Sequence, residues 1–151
     1  MALVSSLPEC RKTLLIVDDD PFVTDLVGRM VTRASYRAII VNNAAAGLTA
    51  AQKQRPDGIL LDLAMPEVDG FAFLHHKQEM ADLAAIPVIV LSALHRDADV
   101  QLALKLGARG YVTKPVEEKT LLARLGRLIP NPLYGRHPTT RVVWQSIWQR
   151  S

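Results

Sequence analysis

The sequence is poor in cysteine and aromatic residues, and it has no long hydrophobic run. Cys10 is the only cysteine among the 151 residues, so no internal disulfide can form. A lone cysteine also argues against a cysteine-based metal site, and it is typical of a reducing compartment. No apolar segment approaches the roughly 20 residues that span a bilayer. We therefore expect a soluble, cytoplasmic protein that does not bind membranes.

The excess of positive charge is small, and it lies at the C-terminal end. The chain has 18 basic and 15 acidic side chains, and three arginines lie in its last 21 residues: Arg136, Arg141 and Arg150. The first 130 residues are therefore neutral overall. The basic isoelectric point near 9.2 is weak support for nucleic-acid binding, and we expect no direct contact with nucleic acid.

Short apolar runs alternate with amphipathic segments along the chain. The alternation predicts strands at 14–17, 38–41, 58–61, 86–91 and 109–112, and helices at 21–34, 44–52, 70–80, 97–106 and 117–129. The strands are almost continuously apolar, as expected when helices cover both faces of a parallel sheet. The pattern predicts one α/β domain, and 49% hydrophobic residues suffice for its core.

Polar side chains follow four of the five predicted strands. In a parallel sheet such residues gather at the carboxyl ends of the strands. If strands one, three, four and five are neighbours, three acids, a hydroxyl and an ammonium converge there. Clustered carboxylates need a cation to remain ionised, and an oxygen-only ligand set suits Mg²⁺. The residues concerned are Asp18, Asp19, Asp62, Ser92 and Lys114.

Four motifs occur in an order and spacing that resemble the receiver domains of two-component response regulators: LLIVDDDP, LLDLAMPEVDG, VIVLSA and YVTKP. The resemblance covers about residues 12–130. It implies a doubly wound, flavodoxin-like fold with a five-stranded parallel sheet in the order 2-1-3-4-5. Residues 1–11 would then form an N-terminal extension and residues 131–151 a C-terminal tail.

The resemblance also implies the chemistry of the site. Asp62 is expected to accept a phosphoryl group from a histidine kinase or phosphotransfer protein. Asp19, with Asp18 acting mostly through water, is expected to bind Mg²⁺ together with Asp62 and the backbone carbonyl of Ala64.

Three further residues have roles only through the resemblance. Lys114 is expected to pair with the phosphoryl oxygens, with a cis peptide bond to Pro115. Ser92 is expected to hydrogen-bond a phosphoryl oxygen and, with Tyr111, to form the conformational switch.

Plainer interpretations exist for the same residues. Asp62 alone is compatible with a structural acid held by Lys114, Ser92 with a turn hydroxyl and Tyr111 with a half-buried aromatic. Asp20 is expected only to cap the following helix. His75 and His76 lack an acid or cysteine at ligand spacing, so we interpret them as surface residues.

The leading functional hypothesis is a phosphorylation-switched signalling module rather than an enzyme. Only 22 residues follow Ile129, so we expect output through a binding surface, formed by the fourth helix, fifth strand and fifth helix, for a partner that the sequence does not identify. Three alternatives remain: the receiver piece of a longer regulator, a phosphate-independent pseudo-receiver, and a magnesium-dependent phosphatase with an aspartate nucleophile. The best-known phosphatases of that kind need a second acid at the position of Ala64.

The tail contains a short apolar pattern. Val143 with Ile147, and Trp144 with Trp148, are spaced i,i+4 and predict one face of a short amphipathic helix. Twelve residues are marginal as an isolated helix. We expect the tail to dock on its own receiver, on a second copy in a homodimer, or on a partner, and a disordered linker is the alternative.

Overall fold

Five strands alternate with five helices in the residues that the computed structural model describes, 11–65 and 69–132. The elements in chain order are β1 Thr13–Val17, α1 Pro21–Arg33, β2 Arg37–Val41, α2 Ala44–Gln54, β3 Gly58–Leu61, α3 Gly70–Glu79, β4 Val88–Ser92, α4 Asp97–Lys105, β5 Gly110–Thr113 and α5 Glu118–Leu128. None of these described helices is long and apolar enough to traverse a bilayer.

The strands form one parallel sheet in the order β2-β1-β3-β4-β5. The predicted doubly wound, flavodoxin-like fold is therefore confirmed. The winding direction reverses between β1 and β3, and this is where ligands bind in such sheets, beyond the carboxyl ends of the strands.

Side-chain caps define where three of the helices begin. Asp20 accepts a hydrogen bond from the Phe22 N–H, Asn43 from the Ala46 N–H and Asp69 from the Ala72 N–H. The capping role predicted for Asp20 is confirmed.

The main boundary error concerns β4. The sequence predicts a strand from Ile86 to Leu91, whereas β4 extends from Val88 to Ser92. Pro87 has no N–H to donate to the ladder, which explains the later start. The Leu91 to Ser92 extension makes Ser92 part of the strand rather than of the loop.

Two apolar clusters cover the two faces of the sheet. One contains Val27 of α1 and Leu125 of α5, and the other contains Phe73 of α3 and Ala103 of α4. The strands β1, β3 and β4 are buried almost throughout, whereas β2 is only partly covered. Ile40 of β2 is 49% exposed because β2 lies at the edge of the sheet.

Cys10 and the predicted tail helix with Trp144 and Trp148 lie outside the described residues. The proposed division into an extension, a receiver domain and a tail stays a prediction.

Candidate functional site

The strand register brings the predicted site residues to one edge of the sheet. Leu61 of β3 pairs with Val17 of β1 and with Val90 of β4. Asp18 and Asp62 each follow a paired residue directly, so they lie side by side. Ser92 pairs with Thr113 at the end of β5, and Lys114 is the next residue. The topology therefore places all four side chains at the carboxyl ends of neighbouring strands.

The three acids form a tight cluster. One carboxylate oxygen from each of Asp18, Asp19 and Asp62 lies within 4.8 Å of the other two. Asp18 and Asp62 are buried, at 3% and 4% exposure, whereas Asp19 is exposed. The site is thus open on the side of Asp19 and closed behind the other two acids.

Backbone amides orient the buried acids. Asp18 Oδ1 accepts a hydrogen bond from the Asp20 N–H at 2.9 Å, and Asp62 Oδ1 accepts one from the Ala64 N–H at 3.2 Å. Burial raises the pKa of Asp62 above its ordinary value, the Ala64 hydrogen bond opposes this rise, the charge of Asp18 adds to it and Lys114 opposes it. The surroundings therefore destabilise the ionised form of Asp62 relative to the protonated form.

Lys114 supplies the cation that the cluster needs. Its Nζ lies 2.8 Å from Asp18 Oδ2 and 3.5 Å from Asp62 Oδ2. Burial alone would lower the pKa of Lys114, but the hydrogen bond to Asp18 and the charges of both acids outweigh it, so the net direction is upward. The Lys114–Pro115 peptide bond is cis, as predicted. The ammonium lies nearer to Asp18 than to Asp62, an order that the sequence did not indicate.

Ser92 and Tyr111 meet at the backbone of Leu94. The buried Ser92 Oγ accepts a hydrogen bond from the Leu94 N–H at 3.1 Å, and the Tyr111 hydroxyl donates to the Leu94 carbonyl at 2.5 Å. Burial raises the pKa of Tyr111, which keeps the phenol protonated as a donor. One short loop thus joins the hydroxyl at the site to the aromatic ring of β5.

Gly70 is a site residue that sequence reasoning missed. A Cβ at Gly70 would lie 2.4 Å from the carbonyl oxygen of Asp62 and 2.6 Å from Cα of Leu63. The first residue of α3 therefore packs directly against the backbone that carries Asp62. The proline, aspartate and glycine of the segment DLAMPEVDG indicate a turn, but no residue pattern indicates this close approach.

The acidic cluster fits a hard divalent cation. All its donors are oxygens, and two of the three acids are held in place by backbone N–H groups. Mg²⁺ prefers one or two carboxylates and keeps several waters, which the exposed side of Asp19 admits. His75 lies 3.3 Å from the carboxylate of Glu79, an acid four residues further along α3, so the expectation that no acid lies at ligand spacing is wrong. His75 and His76 are nevertheless exposed, in agreement with the surface interpretation.

Comparison with known proteins identifies the family. A family model described as the response regulator receiver domain matches residues 14–126. The chain belongs to this family. This receiver domain is 32% identical over 116 residues to protein PilH of Pseudomonas aeruginosa, an alignment that covers 77% of this chain and 96% of PilH. Other relatives named as transcriptional regulators are about twice as long as the part that matches.

Solved structures give the same assignment. The chemotaxis protein CheY4 of Vibrio cholerae superposes with a TM-score of 0.75 at 28% identity, covering 79% of this chain and 99% of CheY4. The receiver domain of the sensor histidine kinase PA1611 of Pseudomonas aeruginosa superposes with a TM-score of 0.73 at 27% identity, covering 79% and 98%. That structure has a magnesium ion coordinated in its active-site cleft. The chain is therefore a two-component receiver domain, and the matches do not favour a phosphate-independent pseudo-receiver.

Proposed function

We propose that this receiver accepts a phosphoryl group on Asp62 from a histidine kinase or phosphotransfer protein in a Mg²⁺-dependent reaction. One observation carries the proposal: a buried carboxylate at the end of β3 lies beside two further acids and within 3.5 Å of a lysine ammonium. A merely structural Asp62–Lys114 pair would not need Asp18 and Asp19 in the same cluster. The chain promotes its own modification and is not expected to turn over a separate substrate.

The transfer step needs little more than position and charge. A carboxylate oxygen of Asp62 forms the new bond to phosphorus while the bond from phosphorus to the donor breaks, and the donor carries away the electron pair. Lys114, next to Asp62 Oδ2, neutralises negative charge on the phosphoryl oxygens, and the Ala64 N–H, next to Asp62 Oδ1, is a second donor beside the nucleophile. No general base is required, because the nucleophile reacts as a carboxylate.

The proposed metal ligands are the three acids of the cluster, to which the resemblance to receiver domains adds the Ala64 carbonyl. Asp19, Asp18, Asp62 and the carbonyl of Ala64 would hold Mg²⁺, which supplies positive charge to the phosphoryl oxygens when it is bound. The open side of Asp19 leaves room for water and for the phosphodonor. Asp18 also holds Lys114, so it links the two cationic groups of the site.

The signal is proposed to leave the site through the Leu94 backbone. A phosphoryl oxygen that accepts the Ser92 hydroxyl pulls on the loop to which Tyr111 is bonded. Tyr111 lies on β5, next to α4, where Leu102 and Leu104 are exposed apolar residues. The face formed by α4, β5 and α5 is therefore the proposed surface for an output partner.

Intact-mass spectrometry after incubation with a small phosphodonor such as acetyl phosphate tests the proposal. We expect one added phosphoryl group in the presence of Mg²⁺ and none after chelation. Labelling that is equally efficient without any divalent cation would contradict the metal-dependent mechanism.

Replacing Asp19 by Asn is expected to weaken Mg²⁺ binding by on the order of tenfold, because a charged oxygen ligand becomes neutral. Titration calorimetry measures the affinity directly. Asp20→Asn is the matched control: Asp20 only caps α1, and Asn caps a helix equally well. Equal affinities in the two variants would remove Asp19 from the metal site.

The phosphoryl group is expected to be long-lived rather than lost in seconds. Ala64 and Leu94 lie two residues beyond Asp62 and Ser92, and neither side chain can orient an attacking water. The partly buried Leu94 also shields the site. Decay of the purified phosphoprotein gives the lifetime, and Ala64→Gln should shorten it several-fold. Rapid decay of the unaltered protein would show that water enters the site regardless of these side chains.

A further inference from the structure

An open groove lies between α1 and β2, away from the phosphorylation site. Its volume is about 560 Å³, and its lining includes Thr24, Gly28 and Thr32 of α1 with Ala38 and Ile40 of β2. Ile40 is half exposed, and Gly28 presents no side chain: a Cβ there would meet Ile40 Cδ1 at 3.4 Å. The floor of the groove is therefore apolar and uncovered in the described part of the chain.

The charges on the rim do not favour a highly charged ligand. Asp25 is paired with Arg29 at 3.2 Å, and Arg33 is paired with Glu118 of α5 at 3.0 Å. The charged side chains on the rim of the groove are therefore paired with opposite charges from the same domain. The uncovered feature is the apolar floor, which calls for an apolar occupant.

The chain leaves the domain at one end of this groove. After α5, Tyr36 donates a hydrogen bond to the Ile129 carbonyl at 2.6 Å, and the buried Asn131 donates to the Ala34 carbonyl at 2.9 Å. Ala34 caps the C-terminal end of α1, and Thr32 of the groove lies just before it. The last described residues, 131 and 132, therefore lie near the C-terminal end of α1 and the groove.

We propose that the C-terminal segment 140–151 covers the α1/β2 groove of its own chain. Its sequence TRVVWQSIWQRS spaces Val143 with Ile147, and Trp144 with Trp148, so that they share one helical face. Docking this face on the groove removes two indole rings and the Ile40 side chain from water. The groove supplies the surface that so short a helix needs in order to fold.

The distances permit this arrangement. Residues 133–139 reach up to about 23 Å when extended, at about 3.3 Å per residue. The groove from Thr24 to Thr32 is about 12 Å long, and a helix of twelve residues is about 18 Å long. A segment that runs back along α1 therefore spans the groove without displacing Asn131.

Tryptophan fluorescence of the full chain tests the proposal, because Trp144 and Trp148 are the only tryptophans. We expect blue-shifted emission that is protected from iodide and independent of protein concentration. Ile40→Arg should abolish the blue shift and raise iodide quenching to the level of a free peptide of residues 133–151. Leu102→Arg is the matched control, because Leu102 is similarly exposed, at 43%, but lies on α4, on the other side of the sheet. The tryptophan emission of this variant should equal that of the unaltered protein.

Each other outcome overturns the proposal. Water-exposed emission of the unaltered chain would show that the segment does not dock. Blue-shifted emission that survives Ile40→Arg, with circular dichroism confirming that the variant is folded, would place the segment on another surface. A red shift of the emission on dilution would show that the segment docks on a second copy of the chain rather than on its own.

Discussion

Replacing Asp62 by Asn is expected to abolish phosphorylation by a small phosphodonor, and to stabilise the metal-free protein at neutral pH by on the order of 1 kcal/mol. The first effect follows because the amide cannot act as the nucleophile. The second follows because Asp62 is buried and lies beside the charge of Asp18, so its ionised form is costly. Asn keeps an oxygen that can accept the Ala64 N–H.

The stability difference has a defined pH dependence. The pKa of Asp62 is raised in the folded state, so its favourable contribution is complete below the ordinary value of 3.8 and is lost as the pH rises through the folded-state pKa. The Asn variant does not titrate at this position. The gain of the variant over the unaltered protein should therefore be small in acid and largest at neutral pH.

Urea unfolding at several pH values, with a chelator present, measures this difference. Addition of Mg²⁺ should reverse the order at neutral pH, since the unaltered cluster binds the cation more tightly than the variant. A variant that is less stable than the unaltered protein at neutral pH without metal would show that the Asp62–Lys114 attraction outweighs the burial of the acid.

Replacing Gly70 by Ala is expected to destabilise the fold by about 1–3 kcal/mol and to slow phosphorylation by on the order of 10-fold to 100-fold. The added Cβ would meet the Asp62 carbonyl and Leu63 Cα at distances that side chains do not tolerate. The strain must be relieved by moving α3 or the backbone of Asp62. A small displacement of the nucleophile is costly, because in-line transfer depends on position.

Gly28→Ala is the matched control for Gly70→Ala. Its Cβ would lie 3.4 Å from Ile40 Cδ1, an ordinary contact, and alanine favours a helix interior by up to about 1 kcal/mol over glycine. This variant should keep the phosphorylation rate of the unaltered protein and equal or exceed its stability. Equal labelling rates in both variants would show that the backbone around Asp62 tolerates the added carbon.

The sequence predicts the fold and the polar residues of the site because both depend on patterns along the chain. Continuous apolar runs specify buried parallel strands, and the residue after each run lies at the carboxyl edge. That reasoning places Asp18, Asp62 and Lys114 together. The strand order is implied by the resemblance to receiver domains, because periodicity alone does not determine it.

Contacts that depend on the backbone or on tertiary packing cannot be predicted from the sequence pattern. The Leu94 loop joins Ser92 to Tyr111 through main-chain N–H and C=O groups, which any residue except proline could supply. Lys77 is another case: beside exposed His75 and His76 it has the pattern of a surface residue, yet it is 3% exposed and donates to the Ala84 carbonyl at 3.1 Å. Burial lowers the pKa of Lys77, with a further effect from Arg109, so tertiary packing overrides the local pattern.

Mapping the phosphorylated residue tests the central claim most directly. Treatment of the labelled protein with borohydride reduces an acyl phosphate to an alcohol, and tandem mass spectrometry of the peptides locates the reduced residue. We predict that the reduction occurs at Asp62 alone. Reduction at Asp18 or Asp19, or a stable label on a histidine such as His75, would contradict the assignment of Asp62 as the phosphoacceptor.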